Sequence, residues 1–189
     1  MSKVAHLFGV PIYVSKLESP LLEEVQNELS NCVDNLEDKW NVFHSTSTTP
    51  INKDIVSDFN LNRFEYAMDI HIARYIEMIQ FPYMPYKRRV SWMTKNVKGN
   101  YTHAHTHTPT DVSGTYYYKT NGKDGNLYFM NPNLAGSCSL IYSRLASYTE
   151  VEPEEGMIIL FPSYLVHGVK TNETEDDRIS LAFSVMYER

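Results

Sequence analysis

The chemistry-bearing residues of this chain fall in three places. The first is "NYTHAHTHTPTDVSG", residues 100–114, where His103, His105 and His107 alternate and Asp111 follows. The second is "FPSYLVHGV", with His167 behind an apolar run and a Pro-Ser turn. The third is "RIS", which sets Arg178 eleven positions after His167 and Ser180 two further on. Imidazoles spaced two apart on a strand share one face. Two such histidines joined by one from a distant strand can occupy one face of a metal's coordination octahedron and leave the other positions open. A cation opening the next strand can pair with a carboxylate held beside that metal, and a hydroxyl two residues on faces the same side. Taken singly, each of these histidines is more often a surface or structural residue. In ordered combination they point to metal binding.

The elements needed to position such a site are legible in the hydropathy pattern. "FGVPIYVSKL" predicts a short entry strand. Ser19 is a helix cap, with Pro20 in the first position and Glu23 and Glu24 soon after. Leu21, Leu22, Val25, Leu29, Val33 and Leu36 then recur at helical spacing. Residues 44–52, "HSTSTTPIN", predict a loop carrying a surface His44. Leu61, Phe64, Met68, His71, Ile72, Tyr75 and Ile79 form the stripe of a second helix, with His71 at the edge of the core. Pro82 and Pro85 end it. "YKRR", Tyr86 to Arg89, predicts a solvated turn.

From Val90 the period changes to two. "VSWMTKNV", "SGTYYYK", "NLYFM", "CSLIYS", "ASYTEV", "GMIILFP", "LVHGV" and "RISLAFSVMY" are short strands separated by turn residues such as "NGKDG". In the last of them Ile179, Leu181, Phe183 and Val185 alternate with Ser180, Ala182 and Ser184. Short strands at this spacing predict a sandwich or jelly-roll barrel, with the two helices covering one sheet. Trp92 and Asn96 are expected to be core and turn residues.

Composition limits the function classes. The chain has 189 residues, enough for one well-buried core, and 42% hydrophobic with 21% charged residues is globular usage. A net charge of −6 argues against a general nucleic-acid binder, which needs a basic stripe. Two cysteines, Cys32 and Cys138, make neither a disulfide framework nor a thiolate zinc site. No apolar run approaches a membrane span, and "MSKVAHLFGVPIYV" lacks the apolar region and cleavage site of a signal peptide. The expectation is a cytoplasmic protein with no membrane or nucleic-acid partner.

The ordered set resembles the 2-oxoglutarate/Fe(II)-dependent oxygenase superfamily. Within it, "HTHTPTDVSGTYYY", "GMIILFPSYLVHGV" and "DRISLAFSV" are similar to a small oxygenase family of marine bacteria and phages, and "LFGVPIY" near the start is matched too. Prolyl 4-hydroxylase-like enzymes are the characterised relatives the pattern suggests. The resemblance implies a mainly β fold with N-terminal helices: a double-stranded β-helix (jelly roll, cupin-like) with helices packed on one sheet. It implies one oxygenase domain over residues 1–189, with 1–89 a mostly helical support and 90–189 the jelly-roll core. Fe(II) is the implied cofactor, and 2-oxoglutarate and O₂ are the implied co-substrates.

Carried onto this sequence, the metal ligands are His105, His107 and His167, and no catalytic residue is expected beyond them. His107 stands where most of the superfamily has Asp. Asp111 therefore competes with it, either as a ligand or as an acceptor for an imidazole N–H. His103 could shift the pair to 103 and 105, but that breaks the match to Ser113-Gly114. Arg178 is the 2-oxoglutarate anchor with Ser180 beside it, and Tyr116 and Tyr118 are placed in the co-substrate pocket, alternating with Tyr117. The implied reaction is hydroxylation of a C–H bond in a peptide or protein, prolyl in the hydroxylase analogy, or in a small molecule. Succinate and CO₂ are released, and a homodimer is allowed. Two alternatives stay open: a three-His cupin-type dioxygenase without 2-oxoglutarate, in which Arg178 holds the substrate's carboxylate, and a non-catalytic metal- or ligand-binding jelly-roll module.

Overall fold

The computed structural model describes residues 9–36, 40–43, 46–50, 54–133 and 148–188. In chain order the elements are β1 (Tyr13–Lys16), α1 (Leu21–Asp34), β2 (Asn41–Phe43), β3 (Thr46–Thr48), α2 (Ile55–Asp58) and α3 (Asn62–Met78). There follow β4 (Tyr86–Asn96), β5 (Thr102–His105), β6 (Val112–Lys119), β7 (Leu127–Met130), β8 (Tyr148–Val151), β9 (Met157–Pro162), β10 (His167–Val169) and β11 (Arg178–Tyr187). Among the described residues they form two antiparallel sheets: a seven-stranded one ordered β1-β9-β6-β11-β4-β3-β2 and a four-stranded one ordered β5-β10-β7-β8. This is the mainly β, double-stranded β-helix architecture expected. No described helix is long and apolar enough to cross a membrane.

The larger sheet is buried on both faces, and the two faces differ in kind. Toward the helices, Leu181, Phe183 and Val185 of β11, Tyr116 of β6 and Ile158 and Leu160 of β9 join Val25 and Leu29 of α1 and Phe64, Met68 and Ile72 of α3 in one core. Phe64 meets Tyr116 and Phe183 edge-on, with ring centroids 5.6 and 5.9 Å apart. Gly114 lies in this layer because a Cβ there would come within 2.4 Å of Phe183 and 2.7 Å of Leu160. Between the sheets, Tyr117, Leu127, Phe129, Ile159 and Phe161 form a second, smaller core. The serine-alanine face of β11 looks into that space.

Some local expectations are corrected. The first helix takes Pro20 as its N-cap with no side-chain cap bond, because Ser19 Oγ donates instead to Glu23 Oε1 at 2.8 Å. Within the segment read as a loop, Thr46–Thr48 is a strand paired to β4, which suits its run of β-branched residues. "YKRR" is the start of β4, not a solvated turn. A bulge opposite Ser184/Val185 interrupts β4's alternation, and Arg88 turns toward the helices, where its Nε donates to Asp54 at 2.7 Å and Nη1 pairs with Glu65. His71 is buried at 3% exposure, sharing a 2.7 Å hydrogen bond between its Nδ1 and the Tyr13 hydroxyl. His44, Cys138 and the "CSLIYS" strand lie outside the described residues.

Candidate metal centre and anion pocket

β5 and β10 are paired with His105 opposite His167, while the next pair in register is Thr102 with Val169. One extra residue on β5 therefore separates the two pairs, and such a bulge breaks strict alternation. This is why the three alternating histidines do not share a face. His103 is exposed and its ring stacks edge-on to Tyr101 at 4.8 Å. His105, His107 and His167 converge, with their potential ligand nitrogens all within 4.8 Å of one another. Their ring centroids are 4.4 Å (105–167), 4.8 Å (105–107) and 5.0 Å (107–167) apart.

Two of the three imidazoles have their tautomer set by the backbone. His105 Nδ1–H donates to the carbonyl of His103 at 2.7 Å, and His167 Nδ1–H to that of Leu165 at 2.8 Å. A carbonyl can only accept, so Nε2 carries the free lone pair in both rings. Burial, reinforced by the neighbouring His105, holds His107 at about 4 and His167 at about 3, below the ordinary imidazole value. Both are neutral bases at neutral pH, the form that binds metal.

His107 lies just past the end of β5 and is held by a turn-to-turn network. Its N–H donates to the Ser163 carbonyl at 2.9 Å, and Thr110 Oγ1 donates to the His107 carbonyl at 2.6 Å and lies 2.9 Å from Ser163 Oγ. Ser163 Oγ in turn meets Ser113 Oγ at 2.8 Å, which meets Ser184 Oγ at 3.0 Å. These hydroxyls lock the Pro-Ser turn before His167 onto the strand carrying the Ser-Gly pair. Both pairs stood out in the sequence as punctuation, without a role. Asp111 is not in the cluster. Its carboxylate is exposed and accepts from the Tyr187 N–H at 2.8 Å, because its backbone is tied to Val185 and Ser163 on the outer edge.

Beyond the histidines, a small inner cavity is lined by Thr94, Tyr117, Arg178 and Ser180 together with all three imidazoles. Arg178 is 3% exposed. Its Nη1 donates to the Gly125 carbonyl at 2.6 Å, its Nε has no partner, and its guanidinium carbon lies 5.9 Å from the Tyr117 ring centroid. No carboxylate among the described residues forms an ion pair with it. Burial pulls its pKa down, with Tyr117 and Asp124 opposing. Gly125 can present its carbonyl only as glycine: its φ is +104° and a Cβ would stand 2.3 Å from the Lys170 carbonyl oxygen. Ser180 Oγ and Thr94 Oγ1 are 2.7 Å apart across β11 and β4.

Tyr116 and Tyr118 are corrected. Both project from the other face of β6 into the helix-side core, and Tyr117 is the tyrosine that meets Arg178. Trp92 is buried, as expected of a core residue, and it also lines the inner cavity with its ring 5.3 Å from that of His107. Three convergent imidazole donors beside a buried cation with no ion-paired carboxylate among the described residues fit a divalent metal accompanied by an anionic chelator.

Residues 90–184 match the family described as "Putative 2OG-Fe(II) oxygenase". Similar solved structures include HygX from Streptomyces hygroscopicus with nickel and 2-oxoglutarate bound, at 16% identity over 94% of this chain and 83% of that one, TM-score 0.64. A Pseudomonas putida prolyl-4-hydroxylase aligns at 14% identity over 95% and 94%, TM-score 0.63. A Trichoplax adhaerens prolyl hydroxylase in complex with a hypoxia inducible factor peptide fragment aligns at 15% over 93% and 83%, TM-score 0.65. At these identities the likeness is one of fold. No curated protein matches the sequence. The matched span is half of the chain and holds the three clustered histidines and Arg178, so the chain belongs to the 2OG-Fe(II) oxygenase family, with iron as cofactor and 2-oxoglutarate as co-substrate.

Proposed function

We propose that this protein is a hydroxylase that couples conversion of 2-oxoglutarate and O₂ to succinate and CO₂ with insertion of one oxygen atom into a substrate C–H bond. The observation that carries this is Arg178: a buried guanidinium without a carboxylate partner, in the same cavity as three convergent imidazoles. A buried charge without an ion-paired partner is costly, and a bound counter-ion at such a site offsets that cost.

His105, His107 and His167 would hold the iron, with the His105 and His167 rings oriented by their Nδ1–H bonds to the backbone. When bound, iron and 2-oxoglutarate supply the oxidative decarboxylation that activates O₂. Arg178 would hold the far carboxylate; the Ser180 and Thr94 hydroxyls meet at 2.7 Å in the same cavity, and the Tyr117 ring lies 5.9 Å from the guanidinium carbon. Phe161 and Phe129 pack around His167 at ring centroids of 4.6 and 6.2 Å and exclude water from that side. Three neutral ligands leave the metal's full charge to be offset by the dianionic co-substrate. In this reading residues 1–89 are the support and 90–189 the working core of a single domain. The substrate is a peptide or protein segment, for which the peptide-bound Trichoplax neighbour offers analogy, or a small molecule.

Anaerobic titration of the protein with Fe(II) and then 2-oxoglutarate should raise a visible metal-to-ligand charge-transfer band, and O₂ should then yield succinate. Iron binding without either result removes 2-oxoglutarate from the mechanism. That outcome leaves the three-His dioxygenase in which Arg178 holds a substrate carboxylate.

A further inference from the structure

A larger cavity of about 630 Å³ opens outside the metal cluster. It is walled by Thr46 and Thr48 of β3, Val90, Trp92 and Thr94 of β4, and the chain from Thr102 to His107. Trp92, Thr94, Thr102, His105 and His107 also line the inner cavity, so the two spaces share one wall. Anything seated in the outer space lies against the imidazoles. Trp92 is the largest side chain of that wall, and it stands beside His107.

Its lack of charge separates this cavity from the two others of similar size. The cavity against α3, about 620 Å³, is lined by Glu65, Asp69 and Arg88, and the one at the end of β11, about 720 Å³, by Lys87, Arg89, Asp111 and Glu188. Among the described residues no Asp, Glu, Lys or Arg lines the outer cavity. Its polar groups are mostly engaged as well. Thr46 Oγ1 bonds to Asn96 Oδ1 and the Lys95 carbonyl, Thr48 Oγ1 to the Thr49 carbonyl, and Thr94 Oγ1 to Ser180. Of the other polar side chains in the lining, His105 and His107 belong to the metal cluster and the His103 ring packs on Tyr101, and Thr102 and Thr106 can orient one neutral polar group. A cation or a polyol entering here would lose its hydration and find few partners.

We propose that this cavity is the substrate subsite, that Trp92 is its specificity-determining residue, and that it takes an uncharged, largely apolar aliphatic or alicyclic group bearing at most one neutral polar function. The assignment rests on the iron and 2-oxoglutarate reading above. Indole offers a flat apolar platform on which a saturated ring packs with its C–H bonds toward the metal cluster.

Two probes of one shape test it: cyclohexanecarboxamide and cyclohexylmethylammonium, titrated into protein loaded with Ni(II) and 2-oxoglutarate and followed by ligand-observed NMR. The amide should bind at least about tenfold more tightly than the ammonium. Trp92→Ala should weaken the amide by about tenfold or more, Trp92→Phe by only about threefold, and Val90→Asp should bring the ammonium up by about tenfold. Equal or tighter ammonium binding to the wild type, no amide binding, or indifference to both Trp92 and Val90 variants overturns the proposal. Should Trp92→Ala not fold, Trp92→Phe and Val90→Asp still decide. The Fe(II)–2-oxoglutarate band, read separately on Val90→Asp, should be unchanged, since Val90 does not line the inner cavity. Absence of the band from the wild type sinks the parent reading, while the amide-to-ammonium ratio on metal-free protein still reports on the cavity.

Discussion

His105 and His167 face each other across the β5–β10 pair with ring centroids 4.4 Å apart, each donating Nδ1–H to the carbonyl two residues before it. The same local device, repeated on two strands 62 residues apart in sequence, aims two Nε2 lone pairs at one point. The metal geometry is thus set by backbone register as much as by the side chains.

Ligand identity follows from that register. His105→Ala, His107→Ala or His167→Ala should each abolish stoichiometric iron, read by metal analysis after dialysis. Asp111→Ala should retain it, at a stability cost of about 1 kcal/mol or less from the lost Tyr187 N–H bond. Iron lost in Asp111→Ala but kept in His107→Ala would reverse the assignment.

Arg178→Met should weaken 2-oxoglutarate binding by at least about thirtyfold, since truncating one member of a buried charge pair costs about 2–5 kcal/mol. The melting temperature of the ligand-free protein should hold or rise, because the variant removes a buried cation that has no carboxylate partner. Unaltered 2-oxoglutarate affinity would exclude the anchoring role.

Gly114→Ala should destabilise the fold by about 1–3 kcal/mol through overpacking, because the new methyl meets Phe183 and Leu160 in the helix-side core. Thermal or urea unfolding reads this directly. A neutral result would mean the helix layer is looser than the structure has it.

His71 gives a pH dependence of known sign. Burial lowers its folded pKa to about 4, against about 6.5 in an unfolded chain. Between those values the unfolded state binds more protons, so stability is full above about pH 6.5 and falls as pH drops toward 4. The His71 contribution to that fall is on the order of 3 kcal/mol. His71→Gln should therefore lose less stability than wild type over this window, and parallel melting curves from pH 7 to pH 4 would reject it.

The sequence by itself determined the ordered set of His-x-His, distal His and Arg, the change from helical to strand period near Val90, and the two helices that cover a sheet. Each of these is written in local spacing, which residue types and periodicity carry directly. Tertiary structure decided which face of a strand matters. In β6 and β11 both faces are buried, one under helices and one around the site, so alternation says that the faces differ but not which is inside. Tyr117 therefore displaces Tyr116 and Tyr118 from the pocket. The same ambiguity hid Trp92, an apolar residue whose face of β4 turns out to line a cavity. A single extra residue in β5 removed His103 from the cluster, and one in β4 turned Arg88 toward Asp54 and Glu65. Bulges arise from how two strands pair, and pairing is a property of the folded sheet.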